Sequence, residues 1–290
     1  MFLIIGVGSL QFVLEEGNSK DWFDSSEIVF FTFIAILGFI LLIKRSLSID
    51  YAAVNLRLYK NYNLVLGSVL NFLLGLILFG SVFIFPLFVQ ISLGWTATQT
   101  GMFMIPGALF SAFTMPMVGK MLGNGVNPKA IIWTGAGLTV VFLMMLSFSS
   151  PTSSQGNFYF PFVLRGIGMA CMMSPIITLS VAGLNPRDIG QAVGLSNAVR
   201  QLGGAVGIAL INLFLTQKNA QVRGSMLGYV TDYSQQTAER ITMIKQNFLA
   251  RGYSMDQAEA LANQSLEGML FKQQALVSYD HGFFMVGLMV

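Results

Sequence analysis

The chain has 290 residues, of which 54% are hydrophobic and only 10% charged, with 25 Phe, 17 Met and 30 Gly. A soluble globular domain carries about 25% charged residues, so this composition excludes an ordinary soluble domain and points to lipid as the solvent. The formal net charge of +3 is too small to argue for a nucleic-acid partner. With one cysteine, Cys171, and one histidine, His281, the chain cannot build a disulfide framework or a zinc site by itself, and no cofactor is expected.

Met1 opens directly into Phe2-Leu3-Ile4 without a basic n-region, which makes a signal peptide a poor reading. Residues 1–14 are apolar and read as the end of a span. Residues 281–290 are apolar too, but they stop well short of the roughly 20 residues that a span needs. The expectation is a fragment cut inside a transmembrane helix at both ends.

Between those ends, apolar stretches of spanning length fall at about 28–43, 65–88, 100–119, 130–149, 158–183 and 191–215. Each must be helical, because lipid offers no hydrogen-bond partner to an open backbone. Strands of an outer-membrane barrel would be about ten residues long and would alternate apolar with polar residues. These runs do neither. The fold class is therefore an all-α polytopic membrane protein with six whole spans and two truncated ones.

The connections alternate in charge. Segment 15–27 holds Glu15, Glu16, Asp21, Asp24 and Glu27 against Lys20 alone. The next, 44–64, carries Lys44, Arg45, Arg57 and Lys60 against Asp50. Segments 89–99 and 150–157 are uncharged, 120–129 has Lys120 and Lys129, and 184–190 has Arg187 with Asp188. Short loops on one side thus carry most of the Lys and Arg, and the positive-inside rule makes that side cytoplasmic.

Segment 216–280 differs in kind, being long and polar with two helical stretches at about 234–250 and 255–276. Ser254 and Gln257 have the spacing of a capping box at the start of the second, and Gly252 suits the end of the first. Ala258, Leu261, Ala262, Leu266, Met269 and Leu270 recur at helical spacing. Span parity puts this hairpin outside, either as a solvated unit packed on itself or as a docking surface for an extracytoplasmic partner.

All thirteen carboxylates fall in connections or at their edges. A proton-coupled carrier keeps ionisable relays in its spans, and an intramembrane hydrolase needs a nucleophile with a base or metal. The sequence therefore disfavours an enzyme. Arg200 lies near the middle of 191–215, where its burial costs several kcal/mol unless it faces a polar interior. Asn197, Gln201 and Asn212 share its broad helix face, within about 120° at 100° per residue. That stripe either lines a cavity or bonds a neighbouring helix. Asn71 in 65–88 is a further polar candidate, and Arg165 is close enough to the outer interface to snorkel.

Gly190 with Gly194, and Gly203 with Gly207, have the small-xxx-small spacing that lets helices approach. Pro86, Pro106, Pro116 and Pro175 sit in or at the ends of spans, where freed carbonyls need local partners. Met169, Cys171, Met172 and Met173 make either an adaptable apolar binding wall or ordinary packing.

The block Arg165-Gly166-Ile167-Gly168-Met169, with Ser174-Pro175, Gly194-Leu195-Ser196-Asn197 and the run from Arg200 to Gly207 (RQLGGAVG), resembles the late helices of the fourteen-span drug:proton antiporters (EmrB/QacA type) of the major facilitator superfamily. Asp21-Trp22-Phe23 resembles the loop after that family's seventh span. The superfamily's cytoplasmic loop motif survives only as Gly119-Lys120-Met121-Leu122-Gly123-Asn124, without its Asp and Arg.

The resemblance implies a partial major-facilitator bundle with an outer helical hairpin, in the cytoplasmic (inner) membrane. It implies efflux of hydrophobic or cationic small molecules against protons by alternating access, with a periplasmic adaptor protein as a further partner. Two alternatives stand beside it: a superfamily exporter of one specific metabolite or lipid, and a non-transporting scaffold that recruits a partner through the hairpin. On the first reading Arg200, Asn197, Gln201, Asn71, Asn212 and Arg165 line the substrate cavity or its gate, Gly190, Gly194, Gly203, Gly207 and Pro175 serve helix packing, and the proton-coupling groups lie outside these residues.

Overall fold

The computed structural model describes residues 2–48, 55–148, 155–227 and 235–290. Asp50 and the first part of the uncharged connection 150–157, residues 150–154, lie outside the described residues, as does the very start of the helix expected from 234. Nine α-helices are described: α1 Phe2–Glu16, α2 Ser26–Ser48, α3 Tyr62–Ile91, α4 Ala97–Gly123, α5 Pro128–Ser147, α6 Tyr159–Ser180, α7 Ile189–Leu227, α8 Gln235–Ala250 and α9 Met255–Leu288. Six of them, α2 to α7, contain segments long and apolar enough to cross a membrane. The chain is a multi-pass, all-α membrane protein.

Caps fix where the helices start. The Thr96 side chain accepts from Gln99 N, and Gln99 Oε1 accepts from Thr96 N at 2.9 Å, which closes a capping box at α4. Asn61 and Asn127 cap α3 and α5 from one side only, each accepting from a backbone N–H two residues on. These groups satisfy amides that the helix cannot satisfy internally.

Helix α6 is the hub, packing against α5, α4 and α3, while α7 packs chiefly on α3. Glycine makes both seams possible. A Cβ on Gly135 would lie 2.7 Å from the Gly168 carbonyl oxygen, so α5 and α6 touch backbone to backbone. A Cβ on Gly207 would lie 2.5 Å from the Leu76 oxygen, and one on Gly203 would collide with Phe72 of α3. Tight contact of this kind replaces the hydrophobic effect as the force between helices in lipid.

Away from the basic connections, the bundle is filled by rings. Phe85 meets Phe162 at 4.5 Å between centroids, Phe142 meets Phe162 at 5.6 Å, and Phe88 meets Phe283 at 5.6 Å and Tyr279 at 6.2 Å. The last contacts belong to α9, which enters the bundle beside α3, α5 and α7.

Helices α1 and α2 form their own hairpin, closed where a Cβ on Gly38 would lie 2.7 Å from Gly6 Cα. Their connection carries the Asp-Trp-Phe motif in an unusual backbone: Asp21 and Trp22 both take left-handed φ, 53° and 52°. Non-glycine residues take this conformation at a cost of roughly 1–2 kcal/mol each. The return is a turn in which Trp22 N donates to Gly17 O at 2.7 Å and the indole lies where a Gly17 side chain would be. Asn18 Nδ2 donates to Thr216 Oγ1 at 3.1 Å and ties this turn to α7.

Helix α7 has 39 residues and α9 has 34, about 58 and 51 Å at 1.5 Å per residue. The expected end of the span at 215 and the expected boundary at 280/281 are not breaks in helical structure, because the sequence on either side has no Pro or Gly pair to stop the hydrogen-bond ladder. The expected capping box at Ser254 and Gln257 is present. Gly252 takes φ +88 at the end of α8. Ala258 and Ala262 are fully buried under α8, while Met269 is 51% exposed, so the buried face of this hairpin is narrower than the expected row.

Candidate functional site

The junction of α3, α6 and α7, towards the end with the basic connections, holds three of the six polar residues singled out from sequence: Asn71, Asn197 and Arg200. Gly67 of α3 abuts Ser180 of α6, and Gly75 of α3 abuts the backbone and the side-chain stem of Arg200 on α7. Between those two glycines, one turn from each, stands Asn71, which is 0% exposed. Its Nδ2 donates to Gly67 O at 3.0 Å, while its Oδ1 finds no partner among the described residues.

Three more buried atoms nearby on α7 lack a partner among the described residues: Ser196 Oγ, Asn197 Oδ1 and Arg200 Nη1. Ser196 is 1% exposed and the other two residues are half-buried. A buried polar group without a partner costs about 1–3 kcal/mol, more when charged. Four such groups lie within two turns of α7 and one turn of α3. Water, a ligand, or groups from elsewhere in a larger assembly would each satisfy them.

Other expected members are dispersed. Gln201 is exposed, because α3 lies against Arg200 and Gly204 and a 100° step turns residue 201 away from that seam. Asn212 is half-buried three turns further along α7, its carbonyl accepting from Thr216 Oγ1 at 2.9 Å. Arg165 lies over the Phe142 and Phe162 rings, with Cζ 6.0 and 5.8 Å from the centroids, and its Nε is buried without a hydrogen-bond partner among the described residues. It belongs to the ring-filled part of the bundle and not to the Asn71 junction. Cation–π contact of this kind partly offsets the loss of water.

Gly203 and Gly207 both form the α3 seam, but Gly190 and Gly194 meet no atom within 4 Å. Their spacing is right for packing, yet among the described residues no helix lies against that face. Pro175 is buried inside α6. In the methionine-rich run, Thr139 Oγ1 approaches Met172 Sδ at 3.8 Å, and Met172 and Cys171 border Gly135. That run packs the α5–α6 seam.

Ser196, Asn219, Ser278 and Asp280 were not singled out from sequence as site residues, and each has a buried oxygen without a partner among the described residues. Asp280 is the consequential one. Helix α9 already packs in the bundle from Gln274, so this carboxylate is a half-buried group on a bundle helix and not the tail of a loop. The apolar run from Ala275 to Val277 upstream of it is the signal that could have shown this.

Relatives of known description match this chain along most of its length. The multidrug export protein EmrB of Escherichia coli K12 is 25% identical over 98% of the chain and 55% of its own length. The fatty acid resistance protein FarB of Neisseria gonorrhoeae is 26% identical over 87% of the chain and 50% of its own length. The colistin resistance protein EmrB of Acinetobacter baumannii is 26% identical over 73% of the chain and 42% of its own length. The chain thus spans about half the length of the curated relatives it matches. Residues 18–208, from the Asp-Trp-Phe turn through the Arg200 seam, match the family model of the Major Facilitator Superfamily, and to that superfamily the chain belongs.

Proposed function

We propose that this chain supplies one wall of the substrate cavity in a proton-coupled multidrug efflux transporter of the cytoplasmic (inner) membrane, working by alternating access. The observation that carries the reading is the group of unpartnered buried polar atoms on Asn71, Ser196, Asn197 and Arg200 where three spans meet. A scaffold that only holds helices together gains nothing from leaving them unsatisfied, whereas a carrier needs polar groups free to exchange one partner for another. The relatives named for multidrug export and for drug and fatty acid resistance support the same reading.

In this reading the basic connections face the cytoplasm and segment 216–280 lies outside, where an adaptor protein docks on the α8–α9 hairpin. The substrates are hydrophobic compounds. Helices α3, α6 and α7 carry no carboxylate along their length, so Arg200 sets the charge of this wall. Cationic substrates then require a carboxylate from another part of the transporter.

The test is Arg200→Ala in the full-length protein expressed in drug-sensitive cells. Insertion and expression are expected to persist while resistance is lost. Unchanged resistance at equal expression removes Arg200 from the transport pathway and the reading with it.

A further inference from the structure

Four basic side chains play no part in the Arg200 site: Lys44, Arg45, Arg57 and Lys60, all exposed. They come from the last two turns of α2 and from the 3-10 turn Leu56–Lys60 that precedes α3. Two contacts bring these elements together. Leu56 N donates to Ser46 Oγ at 3.0 Å, which fastens the turn to the residue following Arg45. Ser68 Oγ and the Tyr59 hydroxyl lie 3.4 Å apart, which fastens the same turn to α3. Asn55 Oδ1 accepts from Arg57 N at 3.1 Å and holds the turn's first residues in place. The Arg45 guanidinium stands over the Phe2 ring, 5.8 Å from its centroid.

The helix below the patch is apolar outwards. Along its length α2 packs on α1, and at its ends on the two short turns. Phe33, Leu37, Ile40 and Leu41 are 61%, 42%, 54% and 42% exposed. At 100° per residue they share one face of α2 with Lys44, which closes the stripe at its basic end. A bare positive patch would suit any anion. A positive patch that continues directly into an exposed apolar stripe suits an anion carrying hydrocarbon chains.

We propose that this surface binds an anionic phospholipid, its head-group phosphate among Lys44, Arg45, Arg57 and Lys60 and its acyl chains along the exposed face of α2. Basic clusters just beyond a spanning helix each add roughly fivefold in affinity per Lys or Arg for an anionic lipid surface. The apolar stripe decides for a lipid over free phosphate.

Native mass spectrometry of the purified full-length protein, titrated with phosphatidylglycerol or phosphatidylcholine, tests this. Phosphatidylglycerol is expected to bind more tightly. The combined Lys44→Gln, Arg45→Gln, Arg57→Gln and Lys60→Gln variant should lose roughly a hundredfold or more of that affinity, while Lys120→Gln with Lys129→Gln, at the same end of the bundle, should lose little. Should the fourfold variant not fold, Lys44→Gln and Lys60→Gln singly should each cost roughly fivefold, and Arg45→Lys with Arg57→Lys should retain binding. Equal affinity for the two lipids, undiminished binding by the charge-neutral variants, an equal loss in the Lys120 and Lys129 control, or complete displacement of the lipid by inorganic phosphate would each overturn it.

Discussion

Replacing Gly207 by alanine tests whether the α3–α7 seam is set by backbone contact. The new methyl group would lie 2.5 Å from the Leu76 carbonyl oxygen and 2.9 Å from its Cα. Both are backbone atoms, so no side chain can swing aside, and the helices must separate by roughly 0.5–1 Å to reach ordinary contact. Overpacking of a tight interior costs about 1–3 kcal/mol, and alanine returns about 1 kcal/mol of helix propensity. The net expectation is destabilisation by up to about 2 kcal/mol, and by about 1–3 kcal/mol relative to a glycine-to-alanine change that gains propensity alone, read as a shift in the unfolding midpoint of the purified protein in detergent. Gly194→Ala supplies the internal control, because its Cβ meets nothing within 4 Å, so only the propensity gain remains. Adding Gly75→Ala to Gly207→Ala should cost less than the two separate losses together, since one displacement of α7 makes room for both methyl groups. If Gly207→Ala proves as stable as Gly194→Ala, or if the double variant is strictly additive, then backbone contact does not set the seam.

Two further substitutions probe α9. Ser254→Ala removes one half of its capping box and should destabilise the start of the helix by about 1 kcal/mol, visible as faster amide hydrogen exchange around Gln257 with the bundle unaffected. Asp280→Asn replaces a carboxyl group whose Oδ1 is buried without a partner among the described residues. It should leave the protein as stable or raise stability by about 1 kcal/mol, and a loss of several kcal/mol in thermal or denaturant unfolding would show that the carboxylate has a charged partner after all.

The spans were legible because lipid leaves the chain few choices: long uncharged runs separated by polar connections can only be helices. The capping box at Ser254 was legible for a different reason, since two side chains three residues apart suffice to define it. Arg200 and Asn71 stood out because polar groups are conspicuous in apolar runs. What one helix could not reveal was the direction of its neighbours. Asn197, Gln201 and Asn212 share a broad face with Arg200, but α3 occupies only part of that arc, so Gln201 is left exposed. Gly190 and Gly194 show the same limit, because spacing describes what a helix can accept and not what stands opposite. Asp280 was hidden by its surroundings. The polar stretch from Ser278 to His281 reads as the end of a loop, whereas α9 is already inside the bundle several residues earlier.

The glycine seam and the polar site are one feature. Arg200 needs room for an aliphatic stem at a point where α7 lies tight against α3, and the Gly75 backbone provides it by having no side chain there. Any larger residue at 75 would push α7 outwards and displace the guanidinium together with it. One turn away, Asn71 donates its amide to the Gly67 carbonyl and leaves its oxygen without a partner among the described residues, on the side of α3 that Gly67 and Gly75 keep without bulk. A substitution that loosens the seam therefore changes the site even when it touches none of the polar side chains. For that reason, transport measured in the Gly75 and Gly207 variants reports on the geometry of the Arg200 junction as much as on stability.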